Sequence, residues 1–121
     1  MRSASKSGQG GGGSPEFIIS SASTPDFLLI VESKADTKDH FSTAIVDVLN
    51  GNPVEESSGQ YAKRTQRFAL DGVLHYAERL AKEFNVIALA VSGETKSFLK
   101  ISTYLHPKRA DCAKALITKG G

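Results

Sequence analysis

An acid, a serine and a lysine, Glu32-Ser33-Lys34, close the apolar run FLLIVESKA at residues 27–35. In a strand, side chains alternate, so Glu32 and Lys34 share one face and Ser33 takes the other. Charges emerging together at the end of an apolar strand are costly unless paired or solvated. Alone, the trio would read as a strand reaching water. A carboxylate beside an ammonium is also the raw material of metal-assisted chemistry. Mg²⁺ takes hard oxygen ligands, usually with one or two carboxylates among them, so a second acid is expected nearby. Two candidates follow a proline, Glu16 after Pro15 and Asp26 after Pro25. Asp26 sits on the same strand as Glu32, roughly 20 Å away at about 3.3 Å per residue, too far to share an ion. Glu16 and Glu32 are equidistant from residue 24, so a turn centred there sets them opposite each other on neighbouring strands. Glu16 is therefore the partner, and Pro25-Asp26 is turn chemistry.

The elements that must hold these groups follow from pattern. Residues 1–14 are a Gly/Ser-rich lead-in with too little to bury. PEFIIS, residues 15–20, reads as a first strand, and the Ser/Thr/Pro/Asp cluster at 20–26 as its turn. The strand at 27–35 is too continuously apolar for a one-sided sheet, so both faces should be covered, as in α/β packing. Residues 36–60 form a long polar stretch, with a short helix around Ala44–Leu49 and a connection of the length that tends to be functional. Leu70, Val73, Leu74, Ala77, Leu80, Ala81 and Phe84 make one apolar stripe, predicting a helix from about Gln60 or Thr65 to Glu83. VIALAVSG at 86–93 reads as a buried strand ending in a Gly turn, and FLKISTYL at 98–105 as a strand nearer an edge. Pro107 stops it, and Ala110–Lys119 is expected to be a short basic helix. The order is β-β-(loop)-α-β-β-α, an α/β chain with one domain over residues 15–121.

Pro-Glu, fifteen intervening residues, then Glu-Ser-Lys resembles the signature of the PD-(D/E)XK nuclease superfamily. The stretches PEFII, FLLIVESKADTKDH, ALDGVLHYAERLAKEFNVIALAVSGE and LKISTYL resemble the N-terminal nuclease domain of restriction enzymes fused to DNA methyltransferases, akin to type I restriction subunits. The likeness spans about residues 15 to 106. It implies a restriction-endonuclease-like mixed β-sheet flanked by helices and Mg²⁺-dependent hydrolysis of DNA, with Mn²⁺ as a substitute. By position it implies that Glu16, Glu32 and the Ser33 carbonyl hold the metal, while Lys34 orients the attacking water or offsets charge at phosphorus. Two departures stand out. Glu replaces the commoner Asp at position 16, and the family's usual N-terminal helix bearing another acid finds no counterpart in residues 1–14. Together they motivate an alternative, a nuclease-like module that binds nucleic acid or a partner subunit without cutting.

Weaker candidates surround this set. Asp71, His75 and Glu78 fall on one flank of the main helix, where Asp71 or His75 could support the metal ligands and a helix-surface ion pair is the bland alternative. His40, close to Lys38 in a loop, could touch phosphate or simply be solvated. Lys63, Arg64 and Arg67 cluster near the expected start of the main helix, where free N–H groups and the dipole favour phosphate. Lys108 and Arg109 extend the positive surface and could track a backbone without reading sequence. Tyr76 and Phe68 are expected to pack.

Composition bounds the rest. Residues 32–60 carry six acids and two lysines, whereas residues 96–121 carry six basic residues and only Asp111, within a net charge of +2 over 121 residues. A basic C-terminal third suits a polyanion such as DNA, though a solvated face is the commoner cause. No apolar run approaches the roughly 18–20 residues that span a bilayer, so no membrane role is expected. The single cysteine, Cys112, excludes an intramolecular disulfide and a multi-Cys metal site. A reducing, cytoplasmic setting is the expectation. No Gly-rich phosphate loop joins a strand to a helix, which argues against a nucleotide fold. Cutting both strands of DNA requires two active sites, so a homodimer is a further expectation.

Overall fold

The hairpin predicted around residue 24 forms the first edge of the sheet. In the computed structural model, which describes residues 15–95 and 98–116, β1 (Phe17–Ser20) pairs antiparallel with β2 (Phe27–Lys34), Phe17 opposite Val31 and Ser20 opposite Leu28. β2 then runs parallel to β3 (Asn85–Ser92), with Glu32 beside Ala90 and Lys34 beside Ser92. β4 (Lys100–His106) and the two-residue β5 (Lys114–Ala115) add antiparallel, completing a five-stranded mixed sheet in the order β1-β2-β3-β4-β5.

The polar stretch after β2 is more ordered than its composition suggests. A 3₁₀ turn at Thr37–Asp39 leads into α1 (Thr43–Leu49), whose N-cap Ser42 accepts from the Ile45 N–H. α2 (Ser58–Arg67) opens on a full capping box, in which Ser57 and Gln60 satisfy each other's backbone N–H groups. The single long helix of the sequence reading is in fact two. Phe68 is extended, at φ −105° and ψ 137°, and separates α2 from α3 (Ala69–Leu80). Gly72 accounts for how tightly they fold together, because a Cβ there would lie 2.5 Å from the Thr65 carbonyl oxygen. A helix continuing straight through Phe68 would not bring that carbonyl to Gly72.

α3 fits the apolar stripe of the sequence. Ala69, Leu70, Val73, Leu74 and Ala77 are buried with Ile30, Val86, Ala88 and Ala90 of β2 and β3, and Ile45 of α1 joins the same core. These strand residues all lie on one sheet face. The expectation that both faces of β2 would be covered is therefore corrected. Among the described residues the helices pack on one side only, and the opposite side carries Phe17 at 50%, Ile19 at 49% and Ile101 at 60% exposure. Continuous apolarity in β2 marks two apolar faces, and only one of them is closed by α3. The basic helix expected at 110–119 is also corrected. Lys114–Ala115 forms β5 beside Tyr104 and Leu105, while residues 117–121, like the lead-in 1–14, lie outside the described residues. Pro107 ends β4 as expected, and Arg109 at φ 66° turns the chain back onto the sheet edge. No helix is long and apolar enough to cross a membrane among the described residues.

Candidate functional site

Extending the hairpin register one step past Phe17 sets Glu16 against Glu32, and the two residues clamp each other's strands. The Glu16 backbone N–H donates to Glu32 Oε1 at 2.8 Å. In return, Glu16 Oε1 accepts from the Ser33 N–H at 3.2 Å and from the Ser33 hydroxyl. Glu32 is 6% exposed. Its Oε2 would lie 3.6 Å from a Cβ at Gly72, so its carboxylate is tucked beneath α3. Tyr76, one turn further along that helix, has its hydroxyl pKa raised first by burial and then by the Glu32 charge. The two acids and Ser33 thus come together where the sequence placed them.

Lys34 leaves the same strand two residues after Glu32 and stretches its Nζ to the Gln66 carbonyl, at 2.8 Å. That carbonyl belongs to the last turn of α2, where the helix dipole favours a cation. The break at Phe68 therefore has a consequence for the site, since it delivers the end of α2 to the lysine. Lys100, not singled out from sequence, ends up at the same edge. It lies beside Ser92, which lies beside Lys34, and its Nζ sits 5.6 Å from the Phe41 ring centroid. Only the register of β3 against β4 brings it there, so no local signal marks it.

Metal fit is a matter of donor chemistry. Two carboxylates on adjacent strand ends and a backbone carbonyl at Ser33 are hard oxygen donors, the kind that suits Mg²⁺ with its retained waters. No group of three or more His, Cys, Asp and Glu side chains that could hold a metal occurs among the described residues. Any ion held by Glu16 and Glu32 would therefore need waters or backbone oxygens to complete its shell. Glu16 would have to share or release its Ser33 hydroxyl contact to ligate.

The supporting candidates separate. Asp71 is 1% exposed, and its carboxylate accepts from the Ser42 N–H at 3.0 Å, from the Ser42 hydroxyl and from Arg64 Nη1 at 2.9 Å. It is no surface ion pair but the hub that joins all three helices. Arg64 completes a fork to Glu56, at 2.8 and 2.9 Å, which lowers the Glu56 pKa through the hydrogen bond itself. This guanidinium is turned inward, its side chain 10% exposed. His75 donates to or accepts from Tyr61 Oη at 2.7 Å through Nδ1 and lines a cavity of about 250 Å³ with Ile45, Tyr61 and Leu74. His40 is not a solvated loop histidine either. It is 2% exposed, held between Ser92 Oγ at 2.7 Å and Ser102 Oγ at 2.8 Å, and burial first, then Lys100, lowers its pKa.

The basic cluster also needs correction. Lys63, Arg64 and Arg67 do not mark a helix N-terminus; they lie in α2, with Arg64 and Arg67 in its last turn. Lys63 is exposed, and Arg67 is 61% exposed while reaching Asp39 at 3.1 Å. Lys108 and Arg109 are at the opposite end of the sheet from Glu32, where the Arg109 N–H donates to the Ala81 carbonyl at the end of α3. The Lys108 N–H bonds Asn85 Oδ1 at 2.9 Å, at the start of β3, and Ala90, level with Glu32, is roughly 16 Å further along that strand. Among the described residues, the cations at the Glu32 end are instead Lys34, Lys38, Arg67 and Lys100.

No family model, no curated protein and no solved structure matches the chain.

Proposed function

We propose that the chain is a metal-dependent DNA endonuclease domain of restriction type, with a restriction-endonuclease-like sheet of the PD-(D/E)XK kind. The observation that carries this reading is Glu16 set against Glu32 across a hairpin, with Lys34 two residues on from Glu32. Glu16, Glu32 and the Ser33 carbonyl would hold Mg²⁺, or Mn²⁺ in its place. When bound, the metal supplies Lewis-acid polarisation of the phosphate and a more acidic water. Glu32, anchored by the Glu16 N–H, fixes one donor in place before any ligand arrives. Lys34 is held at the end of α2 by a single backbone carbonyl, and exchanging that carbonyl for a phosphate oxygen lets its ammonium offset charge building at phosphorus. Lys38, Arg67 and Lys100 border the same sheet end and suit a DNA backbone. A fused or associated methyltransferase domain and a cytoplasmic setting belong to the same reading.

One observation favours a second reading, a non-catalytic module that binds nucleic acid or a partner subunit. Glu16, Glu32 and Lys34 each serve an internal hydrogen bond, and such bonds would hold the hairpin and α2 without any metal. Calorimetric titration of Mg²⁺ and Mn²⁺ into wild type and Glu32→Gln, beside plasmid cleavage by wild type, Glu32→Gln and Lys34→Met, separates the two. Saturable binding lost in Glu32→Gln, with cleavage lost in both variants, is expected. Salt-sensitive DNA binding with no metal effect would overturn the nuclease reading in favour of the second.

A further inference from the structure

We infer that the sheet face opposite α3 is the self-association surface of this chain, pairing two copies face to face about a two-fold axis along the strands. This stands apart from the nuclease reading and uses the opposite side of the sheet from Glu32.

The register places the face's side chains in level rows. Phe17, Val31, Leu89 and Thr103 lie directly across from one another, and so do Ile19, Leu29, Ile87 and Leu105. Every residue of these two rows is apolar or, for Thr103, uncharged. Lys114 extends the second row onto β5, at the rim, where its ammonium stays in water. Phe17, Ile19 and Ile101 protrude at 49–60% exposure, whereas the helix-covered rows on the other side are closed. At strand spacings of about 4.8 Å and rises of about 3.3 Å per residue, the face covers on the order of 500 Å² per copy. A contiguous apolar patch of that size on a monomer usually marks an interaction site. Two copies together reach about 1,000 Å², the lower bound for a specific interface.

A second copy suits this face better than a charged partner does, because the rows offer no opposite charges to read. Self-pairing in turn meets no like-charge repulsion. Shape points the same way. A two-fold axis parallel to the strands, between β2 and β3, lays β1 of one copy over β4 of the other. The protruding Phe17 ring then meets Thr103, the smallest side chain of its own row, and the contact repeats by symmetry, as an isologous interface requires. Stacked sheets of this kind sit about 10 Å apart, with side chains interdigitating.

Sedimentation velocity between about 1 and 100 μM, under reducing conditions, tests the inference with wild type, Phe17→Glu and Ile101→Glu. Both variant positions are exposed in a single copy, so a charge there is compatible with folding, which circular dichroism checks. A concentration-dependent dimer is expected for wild type, with dissociation at least tenfold easier in each folded variant. A second arm places cysteines by Phe17→Cys with Thr103→Cys in a Cys112→Ser background. Stacked sheets hold facing Cα atoms about 10 Å apart, beyond the reach of a disulfide, so a bismaleimide with an arm of about 8 Å bridges the two thiols. Within one copy the positions are three strands apart, and a covalent dimer is expected. A wild type that stays monomeric at 100 μM, a dimer that ignores both glutamates, or open-ended oligomers in place of a dimer would each overturn the proposal. Absence of the cross-link would overturn the stated pairing.

Discussion

Glu16 and Glu32 hold each other's strands: the backbone of one feeds the carboxylate of the other at 2.8 Å, and the first carboxylate returns to Ser33. The last turn of the hairpin ladder is thus made of side chains, and the groups proposed to bind metal are the same groups that finish the sheet. Substitutions at Glu32 consequently have two separable effects. Glu32→Gln keeps an acceptor for the Glu16 N–H and is expected to lose Mg²⁺ binding with little change in melting temperature. Glu32→Ala removes that acceptor as well and is expected to cost an additional ~1 kcal/mol or more, the usual worth of a hydrogen bond in a buried setting. Calorimetry and thermal melts on the two variants check both halves.

Asp71 is expected to be the most stability-sensitive acid in the chain. Asp71→Ala leaves the Ser42 N–H and one side of Arg64 without their acceptor inside the helix layer, and loss of a partner from a buried ion pair typically costs about 3–5 kcal/mol. Glu56 retains its fork on Arg64, so the lower end of that range is expected. Urea unfolding of Asp71→Ala beside Glu56→Ala measures it. A milder effect at Asp71 than at Glu56 would contradict its place as the hub.

Gly72 is a packing requirement without catalytic content of its own. In Gly72→Ala the new methyl meets the Thr65 carbonyl, and forced overpacking costs about 1–3 kcal/mol. Because Glu32 Oε2 borders the same spot, the variant is also expected to weaken Mg²⁺ binding. Unfolding curves and metal titration on one sample report both.

His40 makes stability depend on pH in a definite direction. Its pKa in the folded chain is lowered below the ordinary 6.5, by burial and then by Lys100. The unfolded chain therefore takes up this proton first, so stability rises with pH. The contribution is complete above about 6.5 and falls away as pH drops through that value toward the lower folded pKa. His40→Asn, which keeps some hydrogen-bonding capacity toward Ser92 and Ser102, is expected to flatten the stability profile below pH 6.5. Denaturant midpoints across pH 5–8 test it, and an unchanged slope would reject the assignment.

Much of the local structure was legible because it is written locally. The hairpin register followed from the turn residues at 20–26 and the apolar runs on either side, and it alone was enough to oppose Glu16 and Glu32. The stripe from Leu70 to Ala77 marks the core face of α3, whereas the capping box of Ser57 and Gln60 went unread inside the polar stretch. The break at Phe68 was not legible, because apolar and basic residues continue smoothly across it and only the close approach of Thr65 to Gly72 imposes it. Arg64 and Asp71 are ordinary surface types in sequence. Their burial depends on Ser42 and Glu56 arriving from other elements to share the charge. Lys100 and His40 likewise acquire their surroundings from the pairing of β3 with β4.

The sequence by itself therefore determined the first four strands, the core helix and the placing of two acids opposite each other near a lysine, since alternation, periodicity and a symmetric turn act over short distances. Tertiary structure alone decided which charges turn inward, which end of the sheet gathers cations, and which apolar face of β2 is closed. Those outcomes depend on which element lies across the sheet, and periodicity marks an apolar face without recording what covers it.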